Sequence, residues 1–252
     1  MNGFRDGSLE LNEVFEVDRI ALFFAIRALF LSKEMDRKDL KFYFNPDTQR
    51  LDPVGGEIHF SEPRVGGWWI NELPDYSGNK DLLSFFFNDT TFYSEYYSAL
   101  DRILKRKYLD NFFSRNDAEL NQNLNILNKE FYYKKIYNKN LVYANQSYMR
   151  TLAYPIEGIQ AYYLSSDETA LSLNIGNICN WPIRILNIDI SGEIFSPQEN
   201  GLVLNAKKER EPVAYETFSF NTGRPVDFDK DSIEKIKVDY RIMGSKKVHT
   251  VN

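Results

Sequence analysis

The hydrophobic period changes once along this chain, and that change limits the fold more than any other feature. Up to about residue 152 apolar residues recur every three or four positions, as in Phe92, Tyr96, Leu100, Ile103 and Leu104. From Ala170 onward they alternate, as in Ala170–Ile175, Ile183–Ile188, Val213–Phe218 and Ile233–Ile242. A 3.6-residue period places one apolar stripe on a helix, whereas strict alternation places one apolar face on a strand. The chain therefore predicts an α+β fold, helices first and an antiparallel β-sandwich second, divided near Ser165–Thr169 into residues 1–165 and 166–252.

The first predicted helix runs from about Leu11 to Lys33, with Glu13, Glu16 and Asp18 at the positive end of its dipole. Ile20–Leu31 is apolar almost all round, so this helix should be buried. A β-hairpin follows: Leu40–Phe44, a turn at Asn45-Pro46-Asp47-Thr48, and a return strand Arg50–Val54. Residues 61–90 lack periodicity and carry Pro63, Gly66, Gly67, Pro74 and Gly78 around Trp68-Trp69, a long loop of the kind kept for function. Helices resume at Asn88-Asp89-Thr90, a cluster suited to N-capping. Two more are expected over Asp117–Asn138 and Leu141–Leu152.

Composition removes several function classes. Lys and Arg number 31 against 36 Asp and Glu, a formal charge of -5, which is a poor field for nucleic acid. One Cys excludes an intrachain disulfide framework, and two His make a His-rich zinc site unsuited to this chain. The most apolar stretch is shorter than the roughly 20 residues that a membrane span requires, and the polar start has no signal-peptide pattern. The chain by itself reads as cytoplasmic, and as a cell-surface or extracellular protein if its parent carries an upstream signal.

A hairpin returns the chain to its starting point, so Asp39 before it and Glu57 after it are brought close together. Two carboxylates so placed suit a hard cation, which takes oxygen ligands; the alternative is a pair of solvated charges. His59 lies two residues from Glu57 and either joins such a site or serves the structure. Trp68-Trp69 after Gly66-Gly67 offers an aromatic platform for sugar or peptide, or plugs a loop onto the core. Cys179 has no local base and reads as a small buried hydrophobe.

Two segments resemble the spore-coat kinase (CotH-like) family: Val14–Ile26, VFEVDRIALFFAI, and Asp39–Val54, DLKFYFNPDTQRLDPV. The resemblance extends over about residues 4–165 and is strongest over 14–60. It implies a kinase-like C-lobe that binds Mg²⁺ or Mn²⁺ with ATP and phosphorylates protein. Asp39 falls at the position of the family's catalytic-loop Asn and Glu57 at that of its metal-binding Asp; Asp36 or Glu34 stands for the catalytic acid. In that family an Asn opens a Tyr-rich strand, a turn of the type Asn-Pro-x-Thr-Gly follows, and a Pro-apolar stretch ends in a metal-binding Asp. About a dozen residues precede the first helix, too few for a phosphate-covering lobe with its Lys. The resemblance therefore implies a C-terminal half, truncated or degenerate and catalytically incompetent alone, that takes ATP only when a missing N-terminal half or a protein partner supplies that lobe. Against this stands a non-catalytic structural or cell-surface module that binds protein or glycan.

Overall fold

The computed structural model describes residues 4, 8–31, 40–55, 86–87, 89–132, 138–198, 203–207, 211–223 and 236–252. It is a mixed α+β protein with antiparallel sheets and, among the described residues, five helices. The chain divides into two compact units, with the described residues up to Tyr154 in the first and those from Pro155 in the second. The strand Ile159–Ser166, which the sequence analysis counted with the helices, belongs to the second unit.

In the first unit the expected opening helix is two helices, α1 (Leu11–Val14) and α2 (Val17–Phe30). They part at Phe15, whose backbone forms a parallel bridge with Leu51. Phe15 is fully buried, and its ring packs within 5.1, 5.3 and 4.9 Å of Phe4, Phe42 and Phe86. Burying one such ring contributes on the order of 2–3 kcal/mol, enough to offset a helical hydrogen bond given up at the break. Helix α2 buries Ile20, Ala21, Phe23, Phe24, Ala25, Ala28 and Leu29, as its all-round apolar sequence requires. It ends at Leu31, whose left-handed backbone closes the last turn.

The hairpin is β1 (Lys41–Asn45) and β2 (Arg50–Val54), paired antiparallel from Lys41↔Val54 to Asn45↔Arg50. Helix α3 (Thr90–Ile103) starts as its sequence signals, with the Asp89 carboxylate accepting from Phe92 N at 2.7 Å. It packs on α2 through Phe24, Phe92 and Tyr96; the last two rings are stacked at 5.9 Å.

Helix α3 ends before a break at Leu104–Lys105, and α4 (Arg106–Glu130) runs without interruption through Asp117, where a new helix is expected from sequence. The break has a partner. Gln146, on α5 (Lys139–Ala153), donates from Nε2 to the carbonyls of Ile103 and Lys105 at 2.8 and 3.1 Å. That buried amide takes up the Ile103 carbonyl at the end of α3 and shares the Lys105 carbonyl with Tyr108 N, which donates to it at 2.9 Å. Helix α5 is further tied to α4 by Lys139, which pairs with Asp117 at 2.8 Å and lies 4.3 Å from the centre of the Phe113 ring.

The second unit contains two antiparallel sheets. One has order β3–β4–β8, from Ile159–Ser166, Ala170–Asn177 and Tyr215–Asn221. The other is built on β5 (Ile183–Ile190) and β9 (Ile236–Ile242), extended by β6 (Glu193–Phe195), β7 (Val203–Leu204) and β10 (His249–Val251). Alternation holds through β4 and β9, which bury Leu171, Leu173, Ile175 and Ile236, Val238, Tyr240, Ile242. In β5 it slips: Ile183, Ile185 and Ile188 are buried because the register against β9 shifts between Ile185 and Asn187. A bulge of one residue explains the three-residue step. The turn from β3 to β4 is fixed by Asp167, which accepts from Thr169 N and Ala170 N at 2.8 Å each; these bonds hold its carboxyl below the ordinary range.

The two sheets meet at Gly158. Its N–H donates to the Tyr240 hydroxyl at 2.8 Å, and a Cβ there would stand 2.7 Å from the Tyr240 ring and 3.1 Å from Ile183. Gly158→Ala is expected to destabilise the protein by about 1–3 kcal/mol, because packed side chains must shift to admit the methyl group. Urea denaturation checks this; an unchanged midpoint would mean that the contact is not close.

Candidate functional site

The hairpin is the part of the expected site that the structure describes. It is held against the start of α2 by backbone and charge together. Glu16 N donates to Leu51 O at 3.2 Å, extending the Phe15↔Leu51 bridge. Arg19 Nη1 donates to Asp52 Oδ2 at 2.9 Å, and Asn45 Nδ2 reaches the same oxygen at 3.4 Å. Arg50 lies 3.6 Å from Glu16. Asp52 is 8% exposed, and its second oxygen, Oδ1, is buried without a hydrogen-bond partner among the described residues. A buried carboxylate with one free oxygen depends strongly on the cation that it does have.

The turn between the strands is built for its sequence. Asn45 Oδ1 accepts from Asp47 N at 3.0 Å, the Asx turn expected of Asn before Pro. Gln49 closes it with φ of 57°, a left-handed conformation that favours glycine. Lys41 faces Val54 across the ladder, so the chain enters and leaves the hairpin at one end, from Leu40 and into Gly55.

Asp39 immediately precedes Leu40, and Glu57 follows Gly55 by two residues. Both lie outside the described residues, as do Glu34, Asp36, His59, Trp68 and Trp69. Among the described residues there is no group of three or more His, Cys, Asp or Glu that could hold a metal ion. None of the described helices is long and apolar enough to cross a membrane.

The remaining chemically distinctive groups are structural in their surroundings. Cys179 donates to Trp181 O at 3.4 Å, and burial pushes its thiol up to about 12, far from a nucleophile's range. A groove of about 560 Å³ beside α4 and α5 is lined by Arg106, Asp110, Tyr143, Gln146, Arg150 and Tyr154. The Tyr143 hydroxyl donates to Asp110 and that of Tyr154 to Asp101, both at 2.9 Å. Burial first, then these carboxylates, raise both phenols, so neither is a base near neutral pH. His249 stacks on Tyr240 with centroids 5.3 Å apart; burial first, then Lys247, lower its pKa below the ordinary 6.5.

Residues Glu16, Arg19, Gln49 and Asp52 were not singled out as site residues from sequence. Two signals for them were present: Glu16 and Arg19 sit three apart at the start of a mostly apolar helix, and Arg50 and Asp52 share one strand face. No protein-family model matches the chain, and comparisons with curated proteins and with solved structures found no match.

Three outcomes follow from this geometry. Arg19→Ala is expected to cost about 1 kcal/mol, because Arg19 is largely exposed and Asn45 still reaches the Asp52 carboxylate. Asp52→Ala added to it should recover part of that loss; additive losses in urea denaturation would contradict the pairing. Gln49→Gly should stabilise by up to about 1 kcal/mol by relieving the left-handed backbone, read as a raised midpoint. The His249 proton is bound more readily by the unfolded chain, so its contribution to stability is complete above pH 6.5. It is lost as pH falls from there toward the folded-state pKa. A histidine NMR titration should place the His249 midpoint below 6.5; a midpoint above that value would contradict the burial argument.

Proposed function

We propose that the chain is the helical, kinase-C-lobe-like part of a spore-coat kinase (CotH-like) protein followed by a β-sandwich-like domain. In this reading it binds a divalent cation and does not complete phosphoryl transfer by itself. The observation that supports it best is the hairpin seated on α2. Its turn uses a left-handed residue at Gln49, where the resembling turn has Gly, and its two chain ends emerge together beside Asp39 and toward Glu57.

Asp39 and Glu57 are the proposed metal ligands. Their carboxylate oxygens are donors of the type that Mg²⁺ and Mn²⁺ accept. When bound, such an ion neutralises phosphate charge in phosphoryl transfer. Asp36 is the proposed catalytic acid, with Glu34 as the alternative in register, and Asp39 is proposed to contribute to catalysis as well. Asp39 replaces Asn and Glu57 replaces Asp relative to the family pattern; both keep oxygen ligands, but the longer Glu57 carries its carboxylate one methylene further out. Phosphoryl transfer rests on positioning and charge stabilisation. The segments that carry the resemblance belong to the family's C-terminal half, which includes neither the phosphate-covering loop nor the Lys that reaches the phosphates. ATP binding is accordingly assigned to a complex in which an N-terminal lobe is supplied.

Mg²⁺ or Mn²⁺ should raise the melting temperature, and Asp39→Asn combined with Glu57→Gln should remove the rise. A hundredfold excess over Kd corresponds to about 2.7 kcal/mol. A rise that survives the double substitution contradicts the assigned ligands. The chain alone should show no autophosphorylation; robust Mg²⁺-dependent activity abolished by Glu57→Ala would sink the claim of incompetence.

A further inference from the structure

The outer face of the β3–β4–β8 sheet differs in chemistry from the rest of this charged chain. Its rungs are Gln160–Gly176–Tyr215, Tyr162–Asn174–Thr217 and Ser165–Ser172–Ser219, read from the strand register. None of these residues is charged, although charged residues make up 27% of the sequence. Among these rungs the side chains are phenols, amides and hydroxyls, joined by the apolar Ala170, one rung further along, and Val213, packed at Gly176.

Tyr215 is held flat across it. Its ring carbons would lie 2.8 and 2.9 Å from a Cβ at Gly176, so only glycine lets the ring cross β4. The hydroxyl then reaches β3, donating to Gln160 Oε1 at 2.7 Å. The ring is thus fixed at both ends, with one face on the sheet, and the residue remains 38% exposed. Tyr162 stands beside it, 55% exposed, with ring centroids 5.6 Å apart and planes at 55°. A ring already immobilised loses little further entropy when a ligand stacks on it.

We infer that this face binds a neutral polysaccharide, whose sugar rings stack on Tyr215 and Tyr162 while their hydroxyls bond to Gln160, Asn174 and Thr217. The chemistry favours that occupant. A sugar ring has an apolar C–H face for an aromatic ring and a rim of neutral hydroxyls for amides and alcohols. A nucleic acid or an acidic glycan requires cations, and the described residues of these rungs include none. A surface without charge also leaves no ion unpaired when it is covered. The inference concerns the second unit alone and is independent of the cation site.

Native affinity electrophoresis of the full chain through gels containing hydroxyethylcellulose, xylan or glucomannan tests it, with heparin as the charged comparison. The expected result is retardation by at least one neutral polymer and none by heparin. Tyr162→Ala and Tyr215→Ala should each weaken it by about tenfold, the loss of one good aromatic contact. Tyr215→Phe, which keeps the ring, should retain most of it. Because Tyr162 lies exposed on an edge strand, its variant should fold, and a circular dichroism melt checks this. Absence of retardation by all three polymers, or retardation unchanged by Tyr162→Ala, overturns the proposal. So does light scattering that shows a dimer dissolved by Tyr162→Ala, since the face would then serve protein contact.

Discussion

The first unit depends on a place where a helix is interrupted so that its backbone can serve as sheet. Between α1 and α2 the chain extends for Phe15 and Glu16, and both residues pair with Leu51 of the hairpin. Side chains then secure the join: the Phe15 ring packs against Phe4, Phe42 and Phe86, and Arg19 pairs with Asp52. An isolated two-stranded hairpin is marginal in water. Here it is supported by an extra edge from Phe15 and Glu16 and by a cation from α2.

The second unit applies the same economy of small residues. Gly158 and Gly176 are both positions where a methyl group would strike an aromatic ring, that of Tyr240 in one case and Tyr215 in the other. At Gly158 the ring joins two sheets inside the core. At Gly176 it lies on the outer face and leaves a fixed aromatic surface in solvent. Gly158 lies just before β3, and Gly176 within β4, where glycine weakens a strand but is tolerated because another group must approach closely. Both glycines serve that approach, one for packing and one for a surface that the inferred polysaccharide contact uses.

Much of the architecture is legible in residue patterns, and the exceptions have local causes. The change of period separates helices from strands; the Asn-Pro turn announces the hairpin; Asp89 announces the start of α3. The break at Phe15 is not legible, because the segment is a good helical pattern and its partner Leu51 lies far along the chain. The break at Leu104 depends on Gln146, forty-odd residues away, for the same reason. Periodicity reports faces, whereas these breaks are tertiary. Leu120, Leu124 and Leu127 keep helical spacing and yet are half-buried or exposed, so a stripe alone does not show what covers it. For the site, spacing predicts that Asp39 and Glu57 converge; the hairpin between them is observed, and both residues lie outside the described ones. The ionic support at Arg19 and Asp52 requires knowing which faces meet.

The central claim is that a hairpin seated on α2 presents Asp39 and Glu57 as one oxygen-donor site for a divalent ion. A crystal structure of the chain grown with Mn²⁺, with anomalous diffraction recorded, tests it most directly. The account predicts one anomalous peak within about 2–2.6 Å of a carboxylate oxygen from each residue. Carboxylates more than about 8 Å apart, beyond what one ion bridges at such distances, or a peak bound elsewhere, would contradict it.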